Sequence, residues 1–212
     1  MSNSLRLVII SDTHGLHDQI NLPDGDILIH AGDFTYHGTL EEVEAFNTFL
    51  NNQPHPYKLV IAGNHDFCFQ DHPKKARSAL TAAEYLEDTG VKIAGFHFYG
   101  SPWQPWFMDF AFNLRSSKER AAKWALIPKD TDILITHSPP LGYGDLINHG
   151  QHVGCHELLT TTEQIKPRLH IFGHIHEDYG ITKNHNTAFI NACICDLYYQ
   201  PIQQPIVIDI AK

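Results

Sequence analysis

Five short apolar runs, each ending in a residue able to ligate a metal, constrain this chain more than any other feature. Leu5 to Ile10 leads into Ser11-Asp12-Thr13-His14-Gly15, and Asp26 to Ala31 leads into Gly32-Asp33. Tyr57 to Ala62 leads into Gly63-Asn64-His65-Asp66, Asp132 to Thr136 into His137, and Arg168 to Phe172 into Gly173-His174-Ile175-His176. Runs of this length and composition suit buried strands. In open α/β sheets, sites form beyond the carboxyl ends of the strands. One such end is ordinary, since Gly-Asn is a common turn dipeptide. Five of them, carrying seven ligand-type side chains, predict convergence on one sheet edge. Asp12 with His14, and His174 with His176, are spaced i, i+2, which in extended backbone aims both members of a pair to one side.

Between these runs the pattern is helical. Thr39 with Glu42 forms a capping-box signature, followed by Leu40, Val43, Phe46, Phe49 and Leu50 at helical period. A helical region follows Asn64, where Thr81 with Glu84 repeats the capping pattern. Val91 to Tyr99 reads as short strands broken at Gly95, and Ser101 to Phe112 as an irregular loop rich in aromatics and proline. Ser116 to Leu126, with Glu119 at the capping position, and Cys155 to Ile165 read as helices. Ser138 to Gly144 is a fixed loop, and strands around Ile181, Ala188 to Ile190 and Ile206 to Ile210 close the chain. With no linker, low-complexity tract or repeat, residues 1–212 read as one α/β domain.

Charge narrows the partners. A formal charge of −9 gives no basic surface for gripping long nucleic acid, whereas small phosphate compounds remain open because a bound metal inverts the local field. No apolar run approaches the ~18 residues of a membrane span, and the N-terminal run is too short for a secretory signal. The four cysteines lack disulfide-framework spacing, so reduced thiols in a cytoplasmic protein are expected. Histidine is the anomaly: sixteen, against fifteen Lys and Arg together, which invites metal chemistry.

Seven donors are too many for one four-coordinate ion, so the constellation points to two divalent metal ions per chain. The mixture of carboxylate, amide oxygen and imidazole suits Mn²⁺, Fe²⁺, Zn²⁺ or Mg²⁺ without selecting among them, and the absence of cysteine argues against structural zinc. Asp33, alone at its strand end, is the natural bridging carboxylate. His65, adjacent to Asn64, can donate a proton to a leaving group.

The set Asp12-x-His14, Gly32-Asp33, Gly63-Asn64-His65-Asp66, Thr136-His137 and Gly173-His174-Ile175-His176 resembles the calcineurin-like metallophosphoesterases in order and spacing from residue 7 to residue 190. Ser101-Pro102-Trp103, Ser138-Pro139-Pro140-Leu141-Gly142 and His176-Glu177-Asp178-Tyr179-Gly180 are similar to its small metallophosphoesterase-domain-containing subgroup, some members of which hydrolyse cyclic nucleotides or bind nucleoside monophosphates. The resemblance implies two facing mixed β-sheets flanked by helices, a four-layer α/β/β/α sandwich. It implies one metal on Asp12, His14, Asp33 and His176, the other on Asp33, Asn64, His137 and His174, and His65 at the leaving oxygen. The implied activity is phosphoric ester hydrolysis by a hydroxide bridging the two ions, with Mn²⁺ the first choice and Fe, Zn or Mg the others. Small phosphodiesters such as cyclic nucleotides are the expected substrates. The alternatives are a phosphomonoesterase of the same class and a non-enzymatic nucleotide-binding or protein-interaction scaffold; oligomeric state is left open.

One departure bears on substrate. Protein Ser/Thr phosphatases carry an Asp and then an Arg after the bridging Asp, where this chain reads Phe34-Thr35-Tyr36-His37-Gly38, which disfavours a phosphoprotein phosphatase and leaves open what orients His65. Asp66 is adjacent, but neighbours in extended backbone point apart, which favours a turn-forming role for it. For substrate contacts, Trp103, Trp106 and Phe107 could stack on a base. Asn113, Arg115 and His149 could reach a phosphate or ribose. Cys193 and Cys195 read as core thiols, and His30, His97 and His170 as structural residues inside strands.

Overall fold

The computed structural model describes residues 4–211. In chain order, β1 (Ser4–Ile10) and β2 (Ile27–His30) precede α1 (Leu40–Asn51), β3 (Tyr57–Val60), α2 (Phe67–Asp71), α3 (Pro73–Ala79) and β4 (Glu84–Tyr85). Then come β5 (Thr89–Ile93), β6 (Phe96–Ser101), β7 (Gln104–Pro105), β8 (Asn113–Leu114), α4 (Ser117–Trp124) and β9 (Ile133–Thr136). The chain finishes with α5 (His156–Ile165), β10 (Leu169–Phe172), β11 (Gly180–Lys183), β12 (Ala188–Asn191) and β13 (Ile206–Ala211).

Two sheets carry the molecule. One has the order β13-β1-β2-β3-β4 and the other β11-β12-β10-β9-β6-β5. In the first, β1 through β4 run parallel and β13 joins antiparallel to β1; in the second, β6, β9, β10 and β12 run parallel between antiparallel edges β5 and β11. Alternation along the strands explains the layers. Leu7, Ile9, Ile27, Ile29 and Leu59 face inward against Phe98, Ile133, Ile135, Leu169 and Ile171 of the second sheet. The opposite side chains, Val8, Ile10, Leu28 and Val60, pack outward under Phe46, Phe49 and Leu50 of α1 and Phe69 of α2. On the far side, Tyr99 and Leu134 pack under Trp124 of α4 and Leu158 of α5. Two mixed sheets lie face to face with helices on both outer surfaces, as expected for the four-layer sandwich.

Two of the three capping boxes form. The Thr39 hydroxyl accepts the Glu42 N–H at 3.3 Å while Glu42 accepts the Thr39 N–H at 2.9 Å, and Ser116 with Glu119 repeats this at 3.2 and 2.9 Å. The Ala94-Gly95 turn between β5 and β6 has positive φ at both residues, the two-residue hairpin geometry that matches strand twist.

The third capping box is a correction. The helical region after Asn64 divides at His72-Pro73 into α2 and α3, and it ends by Leu80. The Thr81 and Ala82 N–H groups then donate to the Asn47 side chain of α1, both at 2.8 Å, and Glu84 enters an edge strand. Pro73, which has no backbone N–H, separates α2 from α3, and a tertiary acceptor on α1 overrides the local pattern at Thr81. The aromatic segment 101–112 is mostly irregular, yet Gln104-Pro105 pairs in parallel with Asn113-Leu114. No helix among the described residues is long and apolar enough to cross a membrane.

Candidate functional site

The two sheets meet at one edge. A bridge between Ser11 and Cys193 carries β1 onto the strand-end segment after β12, with Ser11 N–H donating to Ala192 O at 2.9 Å and Ile194 N–H to Ser11 O at 2.9 Å. The carboxyl ends of β1, β2 and β3 therefore face those of β9 and β10. All seven ligand-type residues and His65 collect there; Asp33, Asn64, His65, His174 and His176 line a cleft of about 550 Å³, and Asp12, His14 and His137 are buried against them.

The backbone reaches this edge by turning sharply. Asp12, His14, Asp33 and His174 have φ of 53°, 44°, 57° and 69°, left-handed conformations that strain a residue bearing a Cβ. These angles correct the expectation of extended i, i+2 pairs. His174 and His176 separate: the ring of His174 lies 5.1 Å from that of His137, while His176 Nε2 lies 3.3 Å from Asp12 Oδ1. Gly63 and Gly173 are required by close approach, because a Cβ on the first would collide with Asp33 Oδ1 and on the second with Asp12 Oδ2 and Ser11 Oγ.

Two groups of ligand atoms form around Asp33. In one, His14 Nε2 and His176 Nε2 lie 3.3 Å apart, with Asp12 Oδ1 4.0 Å and Asp33 Oδ2 4.0 Å from His14 Nε2. In the other, His137 Nε2 faces Asn64 Oδ1 at 2.9 Å and Asp33 Oδ2 at 3.4 Å. Ring orientation comes from the backbone: His137 Nδ1 pairs with the Ala31 carbonyl at 3.0 Å and His176 Nδ1 with the Asp196 carbonyl at 2.8 Å. These contacts fix both rings with Nε2 turned toward the carboxylate and amide oxygens. Carboxylate, amide oxygen and imidazole nitrogen converge in each group, and that donor set fits two divalent ions.

Electrostatics give the same account. Burial opposes protonation of His137, yet Asp33 outweighs it and holds its pKa up at about 9; Asp12 does the same for His176, also about 9. His14 and His174, where burial dominates, fall to about 4 and about 3. Burial would raise the Asp12 and Asp33 carboxyls, but the surrounding imidazoles hold both below the ordinary carboxylate range. The buried carboxylates and the imidazoles around them thus favour one another's charged forms.

The supporting contacts answer the question of His65. Its Nδ1 pairs with the Tyr36 carbonyl at 2.8 Å, so backbone orients the ring that a second carboxylate orients in the protein phosphatases. Asp66 points away into a buried turn, accepting from Gly63 N–H at 2.7 Å, Asp33 N–H at 2.9 Å, Thr35 N–H at 3.0 Å and the Thr35 hydroxyl at 2.6 Å. It ties the loop after β2 to the loop after β3, the turn-forming role read from sequence. Cys193 is buried as expected, and its thiol also donates to Asp12 Oδ2 at 3.2 Å beside the Ser11 hydroxyl at 2.5 Å. His30 pairs with Thr13 and His170 with Thr136, at 3.0 and 2.9 Å, as structural residues.

The structure sorts the expected substrate contacts by whether they line the cleft. Trp103 does not line the cleft: its Nε1–H donates to Asp88 at 3.0 Å and Lys123 sits 4.2 Å over its ring. Asn113 is consumed within the aromatic loop, its amide donating to Met108 O at 3.0 Å and Phe110 O at 2.9 Å. Arg115 lies 5.7 Å over the Trp106 ring, and neither it nor exposed His149 lines the cleft. Trp106 and Phe107 do line it, together with Phe110, Ile147, Val153 and Leu197. Tyr199, which sequence reasoning missed, closes over the floor with its ring 4.7 Å from that of His14. Nothing local marks Tyr199; the turn anchored on Asp196 delivers it.

Residues 5–178 match the family model described as calcineurin-like phosphoesterase. The chain is 45% identical over 230 residues to the human and mouse metallophosphoesterase domain-containing protein 1, covering 97% of this chain and 71% of theirs. A UPF0046 protein of Caenorhabditis elegans is 44% identical over 223 residues, covering 98% of this chain and 76% of its own. The crystal structure of TT1561 from Thermus thermophilus shares the fold, with a TM-score of 0.62 at 14% identity, over 89% of this chain and 88% of that one. With the family model matched across most of its length and ligand clusters at the strand ends, the chain belongs to the calcineurin-like phosphoesterases, a family of hydrolases acting on phosphoric esters.

Proposed function

We propose that the protein is a dinuclear metal-dependent phosphodiesterase acting on small diesters, cyclic nucleotides among them. The observation that carries this reading is the cleft itself. Two ligand groups sharing Asp33 lie at its floor, aromatic and aliphatic side chains form its walls, and among the described residues no Lys or Arg lines it. A phosphodiester bears one negative charge and has substituents on both sides, which suits an apolar cleft without cations.

One ion would be held by Asp12, His14, Asp33 and His176, and the other by Asp33, Asn64, His137 and His174, with Mn²⁺ the first choice. Such a pair, when bound, polarises phosphoryl oxygens and activates water for in-line attack. The protein's own part is then positional. Ser11 and Cys193 hold Asp12 Oδ2 and the His174 N–H donates to both carboxylate oxygens, with Oδ1 turned toward His14 and His176. His65 N–H donates to Asp33 Oδ1 at 2.7 Å, which leaves Oδ2 toward both ligand groups. The His65 ring, with Nδ1 tied to Tyr36, keeps Nε2 for a proton delivered to the departing oxygen. Trp106 and Phe107 offer faces for a flat substituent. The continuous cores shared by both sheets support a single catalytic domain, and four buried unpaired thiols support a cytoplasmic setting.

The test reloads metal-stripped protein with Mn²⁺ and assays bis(p-nitrophenyl) phosphate beside p-nitrophenyl phosphate, with Asp33→Asn as control. Diester turnover that requires metal and Asp33 is the expected result. Turnover of the monoester alone would make the protein a phosphomonoesterase. No turnover with both sites filled would reassign it to nucleotide binding or scaffolding.

A further inference from the structure

We propose that Glu177 sets the charge selectivity of the cleft, admitting singly charged diesters and disfavouring doubly charged monoesters. The inference deepens the phosphodiesterase reading and rests on it for the identity of the floor.

Glu177 follows His176 in a short 3₁₀ turn, His176–Asp178, whose two ends are anchored. His176 Nδ1 is held by the Asp196 carbonyl at 2.8 Å, and Asp178 accepts the Leu146 N–H at 2.8 Å, pinning the turn against the 138–154 loop. Between these anchors the Glu177 side chain lines the cleft, half-buried, with no hydrogen-bond or ion-pair partner among the described residues. The other carboxylate on the lining, Asp33, is committed to the floor, where His65 N–H and the imidazoles engage it. Glu177 is therefore the free acid of the cleft.

A free carboxylate is unexpected in the wall of a site for anions unless it discriminates among them. Among the described residues no Lys or Arg lines the cleft to offset it, and the other walls, Trp106, Phe107 and Phe110, are apolar. A diester carries one charge, which the floor can neutralise. A monoester at pH 8 carries two, because its second ionisation lies near 6. The second charge meets Glu177 without a partner. Hydrolysis of a diester produces such a monoester, so the same carboxylate hastens product release.

The test is calorimetric binding at pH 8 to the full chain loaded with Mn²⁺, using diphenylphosphinate, which has no ester bond to hydrolyse, as the monoanion and phenyl phosphate as the dianion. Glu177→Gln should raise the affinity ratio of phenyl phosphate to diphenylphosphinate by about 3- to 10-fold, and Glu177→Lys should raise it further. Inhibition of diester turnover by phenyl phosphate should tighten in the same order. An unchanged ratio in both variants would overturn the proposal, and so would loss of metal from Glu177→Gln by elemental analysis, since that would make Glu177 a ligand. The binding readout does not depend on turnover. An inactive protein with a shifted ratio would refute the phosphodiesterase reading and uphold the charge filter, and the converse result would do the opposite.

Discussion

His65 and Asp66 are neighbours with opposite duties, and the contrast is testable. His65 reaches the cleft with Nδ1 on the Tyr36 carbonyl, whereas Asp66 is fully buried beneath it. His65→Ala should leave metal content intact while lowering turnover by ~10²–10⁴, the usual range for acid–base assistance. Single-turnover kinetics beside elemental analysis check this, and unchanged turnover would remove His65 from the mechanism. Asp66→Ala should behave as a stability variant. Three backbone N–H groups and the Thr35 hydroxyl lose their acceptor, at a cost of about 3 kcal/mol in urea denaturation. Asp33→Asn should lower the occupancy of both ions, and full occupancy of both by elemental analysis would argue against bridging. At this scale the candidate ligands were legible because their residue types are chemically restrictive. The orienting partner of His65 was not, because a backbone carbonyl leaves no mark on residue identity.

At the scale of elements, α4 and α5 cover the second sheet as a pair. Trp124 of α4 is fully buried against Leu134 and Leu158, with its Nε1–H donating to Cys155 Sγ at 3.4 Å. The two helices are also clamped by Arg120, whose guanidinium meets Glu157 at 2.9 and 3.0 Å in a bidentate pair. That pair lowers the Glu157 carboxyl to about 2 from its ordinary 4.5. A depressed carboxyl stabilises the fold above its unfolded value, and the contribution is lost as pH falls from about 4.5 toward about 2. Glu157→Gln should therefore cost about 1 kcal/mol at pH 7, with the difference from wild type shrinking through that window in denaturant titrations. A constant difference down to about pH 2.5 would exclude the pair as its source. The helices themselves were readable from Ser116 with Glu119 and from apolar periodicity. The failure at Thr81 has the same physical basis as the successes: a capping signature is local, and Asn47 of another helix competes for those N–H groups.

For the whole molecule, the site is where the two sheets join, so metal binding and folding are linked. Ions that bind the folded chain alone should stabilise it by about 2.7 kcal/mol each at a hundredfold excess over Kd, and chelation should lower the Tm by at least ~5 °C. Calorimetry with and without a chelator checks this, and equal Tm values would mean that the floor does not hold ions tightly. Residue type and short-range period were enough to tell which strands are buried and that their ends carry ligand-type side chains. Local physics reads such properties directly from neighbouring residues. The division of the ligands into two groups was implied by the family resemblance, but its physical basis lies in the folded chain, in left-handed turns at Asp12, His14, Asp33 and His174. The composition of the cleft wall required the folded chain, which takes Trp106, Phe107 and Tyr199 and leaves out Trp103, Asn113 and Arg115. The aromatic loop has no period to orient it, and its side chains are sorted by Asp88, Lys123 and the carbonyls around Asn113, partners that folding alone brings within reach.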